Sequence, residues 1–492
     1  MKGADTLICS DLNFNNEEPI YIQIENNIKE MIEKGRITSE SKLPSSRELG
    51  KLLGVSRNSV ISAYENLEAN GYIYTLKGKG TFVAKRKSVS NRGFNVDWNS
   101  KRNNYGKTLE ELDIIKTELV WKKGMISFKS IAPDETLFDT EEVKKGFLNR
   151  MSIEGNKLLN YGYAQGYKPL IELLLKYMKE KGAKIDNKDI LITNGFTEGL
   201  DIVLATYTKP GDTIICENPT HNTAIKIMKS YGLKVIGVKM NSNGIDLEDL
   251  DLKLKENKVK MGYLIPSYHN PTGIVMDVEK RYKVYDIFKK YNVPIIEDGF
   301  NEELLYSSSH VLPLVALEGD GNSIIYIGSF SKILFPGIRL GFILGDKSLI
   351  STLESVKRGR TIHCSFLDQA IFYEYLNSGV FSKYIKKARK HYKEKYEFTL
   401  AKVKEYIPYE EVFGEGGLHL FIKLKDINAR KVLDKSYEKG VVFTPGDIFY
   451  LDGSGRNTFR IGFSRLSDEE ITEGIKLIGQ SIEEVMEKES LD

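Results

Sequence analysis

Four short stretches in the second half of the chain collect residue types that do covalent chemistry. Asn194-Gly195-Phe196-Thr197-Glu198-Gly199 follows an apolar run and opens a helical pattern at Leu200. Backbone amides at such a helix start make an anion site. His269-Asn270-Pro271-Thr272-Gly273 and Glu297-Asp298 follow two later apolar runs. Gly328-Ser329-Phe330-Ser331-Lys332 follows a further one, with Pro336-Gly337 and Arg339 close behind. Two hydroxyls, an arginine and a helix start suit a phosphate. An amine beside that cradle, with an acid for a ring nitrogen, is the equipment of a Schiff-base cofactor site.

The elements that must position these groups are readable from the same runs. Ile190-Leu191-Ile192-Thr193, Thr213-Ile214-Ile215-Cys216, Val235-Ile236-Gly237-Val238, Met261-Gly262-Tyr263-Leu264-Ile265, Val293-Pro294-Ile295-Ile296 and Ile324-Ile325-Tyr326-Ile327 alternate with helical patterns from Met125 onward. Buried β-branched runs separated by helices predict an α/β unit with a mainly parallel sheet covered on both faces. Ligands of such sheets sit at the carboxyl ends of the strands, which is where the four stretches fall.

The N-terminal part reads differently. Ile20, Ile24, Ile28, Met31 and Ile32 recur at helical spacing after Pro19, predicting a helix over 19–34. Ser45 with Glu48 forms a capping box ahead of Leu49, Leu52 and Leu53, expected as the inward stripe of a second helix. Gly54 ends that helix and Ser56 caps a third, with Val60, Tyr64 and Leu67 inward. Two short helices around a tight turn predict a helix-turn-helix, with Arg57, Asn58 and Ser59 where a recognition helix reaches base edges. Tyr72-Ile73-Tyr74 and Thr81-Phe82-Val83 flank Lys77-Gly78-Lys79-Gly80, a hairpin whose tip can approach a phosphate backbone. That tip lacks the upstream glycine and GK[ST] ending of a P-loop.

Charge separates the two parts. The 492 residues carry 71 Lys and Arg against 68 Asp and Glu, yet residues 34–93 hold 12 basic and 4 acidic residues. A basic block on one small domain is the footprint of a polyanion partner. With 41% hydrophobic and 28% charged residues, the composition excludes collagen-like, disulfide-scaffold and disordered classes. No run of 18 apolar residues exists, so no membrane helix is expected. Met1 to Phe14 lacks the basic-then-apolar pattern of a signal peptide, and Cys9, Cys216 and Cys364 form no CxxC pair. No metal site is expected, and a reducing cytoplasm fits. Residues 87–124 begin polar and end in a weakly helical Leu109-Leu112-Ile115-Leu119 segment, predicting a tether with a docking helix. The expected organisation is 15–86, the linker 87–124, and 125–492 with a smaller subdomain from about 375.

On the run LPSSRELGKLLGVSRNSVISAYENLEANGYIYTLKGKGTFV the N-terminal unit resembles the winged helix of GntR-family regulators. The resemblance implies that Arg47, Ser56, Arg57 and Asn58 contact operator DNA, with Gly78 and Gly80 letting the wing close on the backbone. From Met125 to the end, the chain resembles fold-type I pyridoxal-phosphate aminotransferases. Tyr161-…-Gly166-Tyr167-…-Leu170, Asn270-Pro271-Thr272-Gly273, Asp298, the Ser-Phe-Ser-Lys run with Arg339, and Thr458-Phe459-Arg460-Ile461-Gly462-Phe463 carry the likeness. The fusion is similar to the MocR group of regulators, with Phe335 to Gly341 and Gly417-Leu418-His419 adding to it.

That resemblance implies roles. Lys332 is the Schiff-base lysine for pyridoxal 5'-phosphate, Asp298 pairs with the ring nitrogen, and Asn270 bonds the ring oxygen. Ser329, Ser331, Arg339 and the amides at Phe196 and Thr197 hold the phosphate. Tyr161 reaches the phosphate of the other subunit, implying a homodimer, and Arg460 grips an amino-acid carboxylate. His221 stands where the family has an aromatic stacked on the ring. Phe300 replaces a tyrosine whose hydroxyl bonds the ring oxygen, a contact worth about 1.5–3 kcal/mol. The expected function is a cytoplasmic, DNA-binding regulator that senses the cofactor, an amino acid or an amine, with little turnover. The alternative is an active aminotransferase with a DNA-binding appendage.

Overall fold

In the computed structural model, which describes residues 12, 14–15, 18–85, 94–299, 302–306 and 311–489, helix α1 (Ile20–Glu33) starts directly after Pro19. It buries Ile24, Ile28 and Met31. Helix α2 (Ser46–Leu53) has the full reciprocal cap: the Glu48 amide donates to Ser45 Oγ at 3.3 Å, and the Ser45 amide donates to Glu48 Oε2 at 2.9 Å. Helix α3 (Arg57–Ala69) follows one tight turn later, its Ser59 amide donating to Ser56 Oγ at 3.1 Å. Strands β1 (Ile73–Leu76) and β2 (Gly80–Val83) pair antiparallel, from Ile73 opposite Val83 to Leu76 opposite Gly80. Leu49, Val60, Ala63, Leu67, Ile73 and Val83 close one core with α1.

One inward assignment is corrected. Leu52 is 53% exposed, while Leu49 is buried and Leu53 packs against the core. Residues four apart sit about 40° around a helix from each other, so Leu49 and Leu53 share the core side and Leu52 falls off it. Removing the cap tests how much this short helix depends on it. Ser45→Ala is expected to destabilise the first unit by about 1 kcal/mol. Hydrogen exchange on the full chain would read it as lost protection over residues 46–53, with residues beyond 102 unchanged.

Cα packing divides the chain into residues 1–101 and 102–492. In the second unit, helix α4 (Asn104–Glu111) and the turn after it lie against α6, introduced below, with the Tyr105 and Tyr231 rings edge-on at 5.7 Å. Asp113 pairs with Lys226 at 3.6 Å and Glu118 with Arg430 at 3.0 Å. The main sheet comprises β3 (Lys188–Thr193), β4 (Thr213–Asn218), β5 (Lys234–Asn241), β6 (Gly244–Ile245), β7 (Val259–Leu264), β8 (Ile295–Gly299), β9 (Ile324–Ser329) and β10 (Gly341–Asp346). Its order is β3-β10-β9-β8-β7-β4-β5-β6, and the five strands from β9 to β5 are parallel. Strands β7 to β9 are buried almost throughout, as central strands covered by helices must be.

Strand β10 was not among the predicted strands. It runs antiparallel between β9 and β3, and an added Cβ at Gly341 would lie 2.8 Å from Gly195 Cα. The two backbones meet there, so β10 brings Arg339 to the mouth of helix α5 (Phe196–Tyr207). Helix α6 (Asn222–Ser230) follows β4. A second, antiparallel sheet of β11 (Tyr409–Phe413), β12 (His419–Leu424), β13 (Thr444–Pro445) and β14 (Thr458–Gly462) has the order β11-β12-β14-β13. It packs with the long helix α7 (Val380–Tyr406), α8 (Ala429–Glu438) and α9 (Asp468–Glu489) over Val403, Leu420, Ile422, Phe459, Ile475 and Ile478. No helix among the described residues is long and apolar enough to cross a membrane.

Candidate functional site

The carboxyl ends of β3 and β9 and the start of β10 build an anion cradle. Gly195 takes φ 82° and turns the chain from β3 into α5, presenting the first free amides of that helix. A side chain there would collide with Arg339, whose Nη2 lies 2.8 Å from the position of an added Cβ. Arg339 donates through Nη1 to Ser331 Oγ at 3.1 Å and through Nη2 to the Asn194 carbonyl at 2.9 Å. The Ser331 amide donates to Ser329 Oγ at 3.4 Å. Amides, hydroxyls and one guanidinium therefore meet at one helix terminus. A cavity of about 1070 Å³ opens on it, lined on one side by Asn194, Thr197 and Arg339 and on others by Tyr105, Leu112 and Tyr450.

Lys332 follows this cradle in the turn after β9. Burial pushes its amine down to about 8, helped by Arg460, Arg339 and Arg465, so about a tenth of it is neutral at pH 7, far more than for a surface lysine. His221, at the start of α6, feels both Lys332 and Arg460 and is held neutral, its imidazole pushed down to about 3 chiefly by burial. Its ring lies 5.5 Å from that of Phe196, tilted by 41°, and Nδ1 is buried without a hydrogen bond. Phe196 also touches Tyr263, ring centroids 6.1 Å apart. Tyr263 in turn donates its hydroxyl to Asp298 Oδ2 at 2.8 Å. Asp298 is 2% exposed, and burial pushes its carboxyl up to about 7. A carboxyl so placed gains strongly from a cation brought beside it.

Arg460, on β14, completes the set from the second sheet. It is 7% exposed, donates through Nη1 to Asn270 Oδ1 at 2.8 Å, and lies over the Phe449 ring at 4.9 Å. Its Nε is buried without a partner, and burial pushes the guanidinium down to about 10. Accepting through Oδ1 turns the Asn270 amide so that its NH₂ remains the donor side. The peptide bonds Asn218-Pro219 and Asn270-Pro271 are cis.

Lys332, Asp298, Asn270, His221, Phe196 and Arg460 are thus linked through direct contacts or mutual electrostatics, and Ser329, Ser331, Arg339 and Thr197 through the cradle. Tyr161 stands apart, 82% exposed and edge-on to His363 at 5.9 Å. Phe300 lies outside the described residues. In the first unit, Arg47, Arg57, Asn58 and Gly78 are exposed, with Gly80 half-buried, while Ser56 Oγ is engaged in capping α3. Arg57 Nε reaches back to Ser46 Oγ at 3.5 Å. Sequence reasoning missed Tyr263, Phe449 and the Asn194 carbonyl as parts of the site. Tyr263 read only as strand core, and a phenol ending a buried strand was the one available hint.

The groups present fit a phosphorylated pyridine aldehyde: an amine with a depressed pKa, a buried acid for a ring nitrogen, an amide donor, and an anion cradle. Residues 132–478 match the family described as aminotransferase class I and II, and residues 20–83 match the gntR family of bacterial regulatory proteins. An uncharacterized aminotransferase of Saccharolobus solfataricus is 32% identical over 78% of this chain and 97% of its own length. The uncharacterized HTH-type transcriptional regulator YdfD of Bacillus subtilis is 29% identical over 95% of this chain and 97% of its own. Among solved structures, the kynurenine aminotransferase of Pyrococcus horikoshii, in complex with PMP, superposes with a TM-score of 0.72 at 30% identity, covering 80% of this chain and 97% of that one.

Proposed function

The chain belongs to the class I and II aminotransferases and carries a gntR-family module ahead of that region; on that premise we propose that it is a cytoplasmic transcription regulator that binds operator DNA through residues 20–83 and pyridoxal 5'-phosphate through Lys332. When bound, that cofactor supplies an aldehyde and an electron-withdrawing ring for the chemistry of an amine. The residues of this chain do the rest. Ser329, Ser331, Arg339 and the amides at Phe196 and Thr197 hold the phosphate. Asp298 receives the protonated ring nitrogen, Asn270 bonds the ring oxygen, and His221 covers the ring face. Arg460, already orienting Asn270, keeps Nε free for the carboxylate of an amino compound.

The observation that carries this reading is the path of contacts from Arg460 through Asn270, and from Asp298 through Tyr263 and Phe196 to His221, in a chain whose first unit is a winged helix. The reading includes a homodimer, in which Tyr161 of each protomer serves the phosphate of the other. An effector with different affinity for two arrangements of the dimer shifts their populations, and with them the operator spacing that the paired DNA-binding units fit. The segment 87–124 read from composition as the linker ends in residues that pack within the second unit, through α4 and the ion pairs of Asp113 and Glu118.

Footprinting of the full chain on its upstream region, with and without cofactor and a panel of amino acids and amines, tests the reading. A footprint that ignores every addition would overturn it. Arg460→Gln is expected to keep the visible absorbance of the bound cofactor while weakening the response to carboxylate-bearing effectors by about tenfold or more. An amino-acid titration of the footprint checks it. The likeness to the S. solfataricus aminotransferase favours turnover as a second reading, and repeated keto-acid production from an amino donor would establish it.

A further inference from the structure

We propose that Tyr263 is the positioning residue of Asp298: its hydroxyl donates to Oδ2 at 2.8 Å and so sets which carboxylate oxygen remains for the ring nitrogen of the cofactor. The inference rests on the cofactor reading above. Its geometry comes from the sheet. Strands β7 and β8 are parallel with Tyr263 beside Ile296, and Asp298 lies two residues further toward the carboxyl end. Alternate residues of a strand share a face. Tyr263 and Asp298 are therefore on one side of the sheet, and a phenol is long enough to reach up to the carboxylate. Both are buried, Tyr263 completely.

A buried tyrosine needs a partner for its hydroxyl, and many core tyrosines find one with no functional consequence. The partner chosen here gives the bond its meaning. The titratable groups that act on Asp298 and Tyr263 from neighbouring elements are Glu302, after β8, and Glu217 and Cys216, on β4, the thiol held protonated by burial. Burial pushes Glu217 up to about 8, so it is mostly neutral near pH 7, and its Oε1 already accepts the Ile265 amide at 2.9 Å. Glu302 is engaged by Lys181 and by the Tyr326 hydroxyl at 2.9 Å. Tyr263 is thus the donor that favours the charged form of Asp298, and burial beside that acid keeps its own phenol protonated. The ring also packs on Phe196, whose amide belongs to the phosphate cradle, so one side chain braces both ends of the cofactor site.

Tyr263→Phe removes only the hydroxyl and leaves the ring packing. Titration of full-length apoprotein with pyridoxal phosphate, followed by visible absorbance, is expected to give a dissociation constant about tenfold or more above wild type. The pH midpoint of the absorbance is expected to move as well, and apoprotein melting to fall slightly because a buried hydrogen bond is lost, while operator binding by the apoprotein is retained. In an Asp298→Asn background the same substitution is expected to add little, because the two residues act as one unit. Wild-type affinity and midpoint in Tyr263→Phe, or full additivity with Asp298→Asn, would overturn the positioning role. A wild-type protein that takes up no cofactor would overturn the underlying cofactor reading instead, and the two failures are told apart by that control.

Discussion

Lys332→Ala is expected to abolish the imine band in the visible absorbance of purified protein loaded with pyridoxal phosphate. The effect is the largest available because, on the proposed reading, the other groups would hold the cofactor by hydrogen bonds and charge, whereas Lys332 alone would offer it a covalent bond. The amine is suited to that role: burial and the cations Arg460, Arg339 and Arg465 push it down to about 8, so it becomes neutral at far lower pH than a surface lysine. Phosphate contacts survive the substitution, so weak uptake persists while borohydride fixes nothing to residue 332. Absorbance spectra before and after borohydride, with mass mapping of the labelled peptide, check the outcome. An unchanged spectrum in Lys332→Ala would remove the cofactor assignment and leave the second unit as a dimerisation body.

Arg57→Ala is expected to weaken operator binding by about tenfold to a hundredfold while leaving the cofactor spectrum intact. Arg57 is the first residue of α3, the proposed recognition helix, and its side chain is exposed apart from a 3.5 Å approach to Ser46. Fluorescence anisotropy on operator and on scrambled duplex separates two mechanisms. A contact to a base edge loses specificity; a contact to phosphate weakens both duplexes and lowers the salt slope by about one. Equal binding by wild type and Arg57→Ala on both duplexes would displace the recognition helix from α3. Ser56 is a poorer target than its neighbour, since replacing it also removes the cap of α3.

Much of the architecture was readable because it depends on local rules. Ser45 and Glu48 are three residues apart, and the capping box they announce forms with both hydrogen bonds. The apolar runs ending at Thr193, Cys216, Ile265 and Ile327 became strands ending at Thr193, Asn218, Leu264 and Ser329, whose carboxyl ends carry the cradle, the amide and the lysine. Gly195 takes a positive φ where the chain turns from β3 into α5, a conformation the sequence reading did not assign to it. Leu52 was misplaced because a two-turn helix offers too few positions for periodicity to choose between neighbouring faces. Strand β10 escaped because an antiparallel strand inserted between β9 and β3 has no signature distinct from any other short apolar run.

Sequence by itself determined which residue types arrive at the strand ends and which helix starts are capped, since those follow from hydrophobic runs and from hydrogen bonds spanning three or four residues. Tertiary structure decided who meets whom: that Arg460 of the second sheet fixes Asn270 in the turn after β7, that Arg339 closes on the Asn194 carbonyl, and that Tyr263 reaches Asp298 on the next strand. Those partners are 190, 145 and 35 residues apart. Contacts at such separations are set by strand register and sheet order, which depend on packing the whole core at once and leave no local mark in the chain.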